Sequence, residues 1–147
     1  MPGRREPDST PGHSLGLQVD GVLVTMLSGV TGLAMERDVI ELKENGPDGR
    51  FVIKKLPGGP RTGEVVVTRD LSEDRAFEQW VDDVSHGSDT ARRHASIVVF
   101  NRRGDPVATF TLAHAWPRKL EFAGLRAGGS DVVMEELVLV HEGIDRA

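Results

Sequence analysis

Leu15, Leu17 and Val19 alternate with small or polar residues, and a second apolar stretch runs from Val22 to Met26. A period of two is that of a half-buried strand, and Asp20-Gly21 between the runs supplies the positive-φ pair of a two-residue hairpin turn. Ser28-Gly29-Val30-Thr31-Gly32-Leu33 follows, β-rich and punctuated by glycine, which predicts a bulge or sharp bend. Met35 to Leu42 reads as a further strand of mixed charge whose poor alternation leaves its faces unassigned. Asn45-Gly46-Pro47-Asp48-Gly49 and Leu56-Pro57-Gly58-Gly59-Pro60 are clusters of turn formers, separated by Phe51-Val52-Ile53. A long inter-strand loop is expected there, and Val65-Val66-Val67 restarts the sheet.

One segment has the period of a helix. Phe77, Trp80, Val81 and Val84 fall on a single stripe, with Glu73, Asp74, Glu78, Asp82 and Asp83 elsewhere. Ser72 is the expected cap at its start, acidic residues in the first turn complement the dipole, and Gly87 is the expected stop. After a polar link, Ser88 to His94, three strands are expected at Ser96 to Arg102, Pro106 to Ala115 and Val132 to His141, with room for a short one at Leu120 to Leu125. Leu137-Val138-Leu139-Val140 is apolar at successive positions, so both faces of the last strand should be covered. The sum is a mainly β, α+β chain: an antiparallel β-barrel or two-sheet domain over residues 14–147, with one packed α-helix and a long inter-strand loop. Residues 1–13 carry Pro, Gly, Ser and charge with almost no apolar side chains, and are expected to be a flexible tail.

Composition narrows the function classes. With 147 residues and 38% hydrophobic content, one ordinary domain with a packed core is expected. A net charge of -5 argues against a dedicated duplex-DNA binder, which would carry a basic surface for phosphates. The absence of cysteine excludes a disulfide framework, a thiolate zinc site and a cysteine nucleophile. The first residues lack the apolar run of a signal peptide, and no stretch approaches the length that spans a bilayer, so the chain is expected to be soluble when made.

Gly12-His13-Ser14-Leu15-Gly16 matches the Gly-x-Ser-x-Gly nucleophile elbow in letter. That elbow needs a strand before the serine and a helix after it, whereas a tail precedes Ser14 and a strand is expected to follow. His13, His86, His94, His114 and His141 show no His-x-x-x-His spacing, so no metal site is read from the sequence. Asp82-Asp83 and Glu135-Glu136 are neighbours in sequence and point apart, which suits solvated faces or salt bridges better than a pair of catalytic carboxylates. There is no Walker motif and no Gly-x-Gly-x-x-Gly, and no cofactor is expected. Arg92-Arg93 and Arg102-Arg103 read as interface or turn charges. Trp80 reads as a core residue of the helix, and Trp116-Pro117 as a packing anchor at a strand end.

Several segments together resemble one family. Asn101-Arg102-Arg103-Gly104-Asp105-Pro106 leads into a hairpin arm ending in Ala115-Trp116-Pro117; Asp20-Gly21-Val22, Ser28 to Leu33, Lys55-Leu56-Pro57-Gly58, Trp80 with Asp82-Asp83, Glu135 to Leu139 and His141-Glu142-Gly143 accompany it in order. This resembles the T4-like tail tube family, the inner-tube proteins of contractile phage tails and related injection systems. The resemblance implies a structural protein without an active site, forming six-membered rings that stack into a hollow tube inside a contractile sheath. Sheath contraction would drive that tube through a target envelope.

It further implies strands joined across subunits, and a long loop reaching the neighbouring ring, with Lys43, Gly46, Lys55, Leu56, Pro57 and Gly58 as its assembly residues and Trp80, Trp116 and Pro117 as packing anchors. Implied partners are further copies of the chain, the sheath protein, baseplate or hub and tube-terminating proteins, and a cargo effector or DNA that passes without specific binding. Synthesis and assembly in the bacterial cytoplasm, then a place in a phage tail or injection particle, complete the expectation. A baseplate tube-initiator paralogue and a secretion-system tube protein are alternatives within the class; a monomeric ligand-binding β-barrel lies outside it.

Overall fold

The computed structural model describes residues 12–87, 92–129 and 132–147. Of the tail expected over residues 1–13, all but Gly12 and His13 lies outside the described residues. β1 (Ser14–Val19) and β2 (Val22–Leu27) form the expected hairpin, with Asp20 at φ 50° and Gly21 at φ 82° in its turn. β3 (Gly29–Thr31) follows after Ser28, and β6 (Glu64–Asp70) is the strand of the three valines. β7 (Arg93–Phe100), β8 (Pro106–Ala123), β9 (Met134–Val140) and β10 (Ile144–Arg146) complete the main sheet. Its order is β2-β1-β7-β8-β9-β6-β3, with β10 also on β8, and every pairing is antiparallel.

Of the two expected architectures, barrel or two-sheet domain, the barrel does not close. The two ends of this path, β2 and β3, are consecutive in the chain and joined through Ser28 alone, which is too short a link for two strands to turn back and pair. The strand direction simply changes partner there, from β1 to β6, and the Ser28 N–H is taken up by the Thr68 carbonyl at 2.8 Å. β8 makes the matching change on the other side. Its first part pairs β7 and β10, and from Trp116 onward it pairs β9. The Trp-Pro corner is therefore a crossover within an 18-residue strand and not an end, and Leu120 to Ala123 belong to that same strand. His114 at φ 48° and a register slip between Pro117 and Lys119 accommodate the change.

Leu17, Val19, Leu27, Val65, Val67, Ile97, Leu112, Leu137 and Leu139 are buried between the two halves of the sheet, together with Phe77 and Trp80 from the helix. Full burial of such side chains contributes roughly 1.5–3 kcal/mol each before entropy is counted. β9 is less symmetric than its sequence suggests. Glu135, Leu137 and Leu139 share a fully buried face, while Val138 and Val140 on the other face are half-buried.

Helix α1 (Ala76–Ser85) buries Phe77 and Trp80, with Val81 and Val84 packed beside them, as the stripe predicts. Its start differs from expectation: Ser72 does not cap it. Asp74 Oδ1 accepts the Ala76 N–H at 3.0 Å, and the Ser72 hydroxyl donates to Asp74 Oδ2 at 2.9 Å, so the serine holds the residue that receives the helix. Glu73 and Asp74 precede the first turn, whose acidic residue is Glu78. Gly87, at φ 69°, ends the helix by donating to the Val84 carbonyl.

The strand expected from Met35 to Leu42 is β4 (Glu36–Asn45), and the long loop expected after it is instead largely its antiparallel partner β5 (Phe51–Arg61), the two forming a second sheet. Turn formers mislead here because a two-stranded sheet has a free edge on each strand, where Pro57 and Pro60 forfeit no ladder bond. Gly58 and Gly59 together face Asp38 as a bulge, and a Cβ on Gly58 would lie 2.9 Å from the Asp38 carbonyl oxygen. The true turn is at Gly46 to Arg50, closed by the Gly46 N–H on the Arg50 carbonyl, with Gly49 at φ 82°.

Candidate assembly surfaces

The hairpin β4–β5 is exposed along its whole length save for the half-buried Gly46 in its turn and Gly58 at its bulge. The 10 residues of β4 extend it by about 34 Å. The register puts Ile40 opposite Leu56, Leu42 opposite Lys54 and Glu44 opposite Val52 on one face. Val39 opposite Pro57, Glu41 opposite Lys55, Lys43 opposite Ile53 and Asn45 opposite Phe51 make the other. Each face thus mixes apolar side chains with charge, and Lys54 reaches Glu44 at 3.0 Å. Phe51 near the tip is 74% exposed. An isolated two-stranded hairpin is marginal in water, and one that exposes apolar side chains on both faces marks a site of interaction.

Sheet edges offer a second surface. β2 is a terminal strand that shows Val22, Leu23 and Met26 to solvent, and β3 terminates the opposite end of the path. The second part of β8 pairs β9 on one side, with Arg118 in an ion pair to Glu64 and Phe122 exposed. Unpaired edges of this kind are templates for strands of another chain.

Between these surfaces lies a buried ionic latch that single positions in the sequence do not announce. Arg69 and Glu135 are 2% and 1% exposed; they are cross-strand partners on β6 and β9. Arg69 Nε donates to Glu135 Oε2 at 2.9 Å, and its Nη1 donates to Thr25 Oγ1 and Asp74 Oδ2, each at 3.1 Å. The guanidinium stacks 4.1 Å from the Phe77 ring centre, and Glu135 also accepts the Ser72 N–H. The latch joins the sheet to the start of α1. Asp74 has its carboxyl held below the usual range, chiefly by the Ala76 N–H, with Ser72 and Arg69 adding to the effect.

At the root of the hairpin a cleft of about 440 Å³ lies between residues 34–37, 60–62 and 141–144. His141, 4% exposed, lines it. Its Nδ1 accepts the Gly143 N–H at 3.1 Å, so the ring proton sits on Nε2, which has no hydrogen-bond partner among the described residues. Burial lowers the pKa of this imidazole. Ser14, the serine of the elbow-like motif, opens β1 opposite Phe100 and is followed by strand, not helix.

The family described as T4-like virus tail tube protein gp19 matches residues 14–145 of the chain. The chain belongs to that family. No curated protein matches it. Among solved structures, this tail tube protein is similar to a chain in the extended sheath–tube complex of the extracellular contractile injection system PVC, with a TM-score of 0.79 at 16% identity over 97% of this chain and 93% of that one. It is similar to a chain of the anti-feeding prophage tube-terminating cap, with a TM-score of 0.78 at 15% identity over 99% and 93%. Hcp1 from Flavobacterium johnsoniae is a more remote likeness, with a TM-score of 0.57 at 12% identity over 91% and 94%. At these identities the likenesses establish a shared fold.

Within the tail tube fold, the residues singled out by sequence fall into three places. Lys43, Gly46, Lys55, Leu56, Pro57 and Gly58 all lie on the β4–β5 hairpin, Gly46 in its turn and Pro57-Gly58 at the bulge toward its root. Trp80 is in the core, whereas Trp116 and Pro117 stand at the β8 crossover, half-buried and buried. Val39, Ile40, Leu42, Phe51 and Ile53, which complete the apolar hairpin surface, escape a reading by turn formers; their signal appears once the two strands are paired. Arg93 reaches Asp83 of α1 at 3.2 Å, a charge used inside the fold.

Proposed function

We propose that this chain is the inner-tube subunit of a contractile injection system or phage tail. Six copies close a ring, and rings stack into a hollow tube that sheath contraction propels through a target envelope, carrying an effector or DNA. The β4–β5 hairpin joins one ring to the next, with Lys43, Gly46, Lys55, Leu56, Pro57 and Gly58 in that contact. Sheath, baseplate and tube-terminating proteins are its partners, and assembly takes place in the bacterial cytoplasm. One observation carries the reading: an exposed hairpin about 34 Å long with apolar side chains on both faces, which nothing among the described residues covers. A head-to-tail contact between unlike surfaces extends without limit, whereas a closing rotation gives a ring; a tube needs both.

Electron microscopy of the purified chain and of sheathed particles tests this. Tubes are expected from the natural chain. An Ile53→Asp, Leu56→Asp variant is expected to keep its unfolding midpoint and lose tubes, while retaining rings if these close through the sheet edges. A folded chain that stays monomeric at high concentration, and is missing from particles, would refute the reading. A baseplate or terminating ring is the second reading, because a chain of the anti-feeding prophage baseplate is also similar, with a TM-score of 0.73 at 19% identity. Single rings that never extend, in otherwise complete particles, would select it.

A further inference from the structure

The geometry points to a surface site for a divalent transition cation, Zn²⁺ or Ni²⁺, held by His94 and His114 with Glu142 as third ligand. These residues are far apart in sequence, and backbone pairing brings them together. β7 and β8 slip register so that Arg93 faces Ala115 and Ala95 faces Leu112, which leaves His94 alone opposite Ala113 and His114. At this bulge His114 takes φ 48° and its ring lies 5.3 Å from that of His94, centre to centre. The turn after β9 is pinned alongside, because Glu142 N–H donates to the Ala113 carbonyl and Ala113 N–H to the Gly143 carbonyl, each at 2.9 Å. Asp20 secures the far side: its N–H donates to the His94 carbonyl, and its Oδ1 accepts the His94 N–H.

The separations suit a chelate. With zinc–nitrogen bonds of about 2.0 Å and a tetrahedral angle, two ligating imidazoles place their ring centres roughly 5 Å apart, close to the 5.3 Å found. His114 Nδ1 stands 4.0 Å from Glu142 Oε2, whereas two ligands of one tetrahedral ion are roughly 3.3 Å apart. As the side chains stand, no group of three or more His, Asp or Glu among the described residues is placed to hold a metal ion, so the site requires side-chain movement. Between His114 and Glu142 the closure needed is small, and both side chains, 57% and 65% exposed, are free to make it. Two imidazoles and a carboxylate select borderline divalent ions over calcium or magnesium, and leave a fourth position for water. A bound ion would tie β7, β8 and the β9–β10 turn together at the bulge beside the β8 crossover.

The test is titration of the untagged, unassembled full chain with Zn²⁺ and with Ni²⁺ by calorimetry, beside His94→Ala, His114→Ala, Glu142→Gln and, as a control, His86→Ala, whose ring already bonds the Asp82 carbonyl within its own helix. One ion per chain is expected, with affinity falling at least tenfold in either histidine variant, several-fold in Glu142→Gln and not at all in His86→Ala. Each variant's unfolding midpoint in the presence of a chelator shows whether the loss is one of ligation; binding should also raise the midpoint of the natural chain by mass action. Affinity within twofold of the natural chain in both folded histidine variants would overturn the site. If those variants do not fold, Cu²⁺ bound to the natural chain decides by electron paramagnetic resonance: two coordinated nitrogens support the site and fewer overturn it.

Discussion

Replacing Glu135 with leucine keeps roughly the same volume on the buried face of β9 but strands the Arg69 guanidinium, 2% exposed, without its cross-strand carboxylate. Breaking a buried pair by removing one partner costs about 3–5 kcal/mol, because a charge is left desolvated and uncompensated. Asp74 remains in contact with Arg69 at 3.1 Å, but its side chain is 52% exposed and therefore a screened partner. The lower end, about 3 kcal/mol, is expected. Against a typical domain stability of about 5–15 kcal/mol this is a large fraction, and it corresponds to a fall of about 6–12 °C in unfolding midpoint for a chain of this size. Urea unfolding of the unassembled chain, followed by tryptophan fluorescence and circular dichroism, measures it. The double variant Arg69→Met, Glu135→Leu removes both charges and should recover most of the loss. A single variant that loses under about 1 kcal/mol with unchanged slope, or a double variant no more stable than the single, would refute desolvation as the cause.

Two further outcomes are expected. Gly32 sits at φ 88°, and a Cβ there would lie 2.2 Å from the Glu64 carbonyl oxygen, so Gly32→Ala should destabilise by well over about 1 kcal/mol; a midpoint unchanged in the same urea assay would contradict this. His141 is held neutral by burial, so its folded pKa lies below the unfolded value of 6.5. The folded state then binds fewer protons, and the contribution of His141 is fully present above the unfolded pKa and lost as pH falls through the folded one. His141→Leu should lose stability less steeply than the natural chain as pH falls from 7.5 to 5.5, and parallel pH profiles would show that this ring is not the group that titrates.

Much of the strand framework is legible in local pattern. The Asp20-Gly21 turn and the alternation on either side of it mark the first hairpin, and the spacing of Phe77, Trp80, Val81 and Val84 marks the helix, because backbone geometry and side-chain period are properties of a few neighbouring residues. β4 is legible as the strand from Met35 to Leu42, whereas its partner β5 is hidden by its prolines and glycines, since a free edge tolerates what a central strand does not. The barrel was overdrawn for a related reason: alternation identifies strands but not which edges meet, and Ser28 is too short to let β2 and β3 pair.

Pattern and composition along the chain suffice for a mainly β protein with an amphipathic helix and no cysteine chemistry, and the order of its motifs points to the tail tube family. Tertiary structure alone decided that Arg69 and Glu135 neutralise each other in the core, that His94 and His114 share a bulge, and that the hairpin stands exposed. The division follows from distance along the chain. Local dihedral and burial preferences act over a few residues, whereas Arg69 and Glu135 are 66 positions apart and meet only when β6 and β9 pair in one particular register.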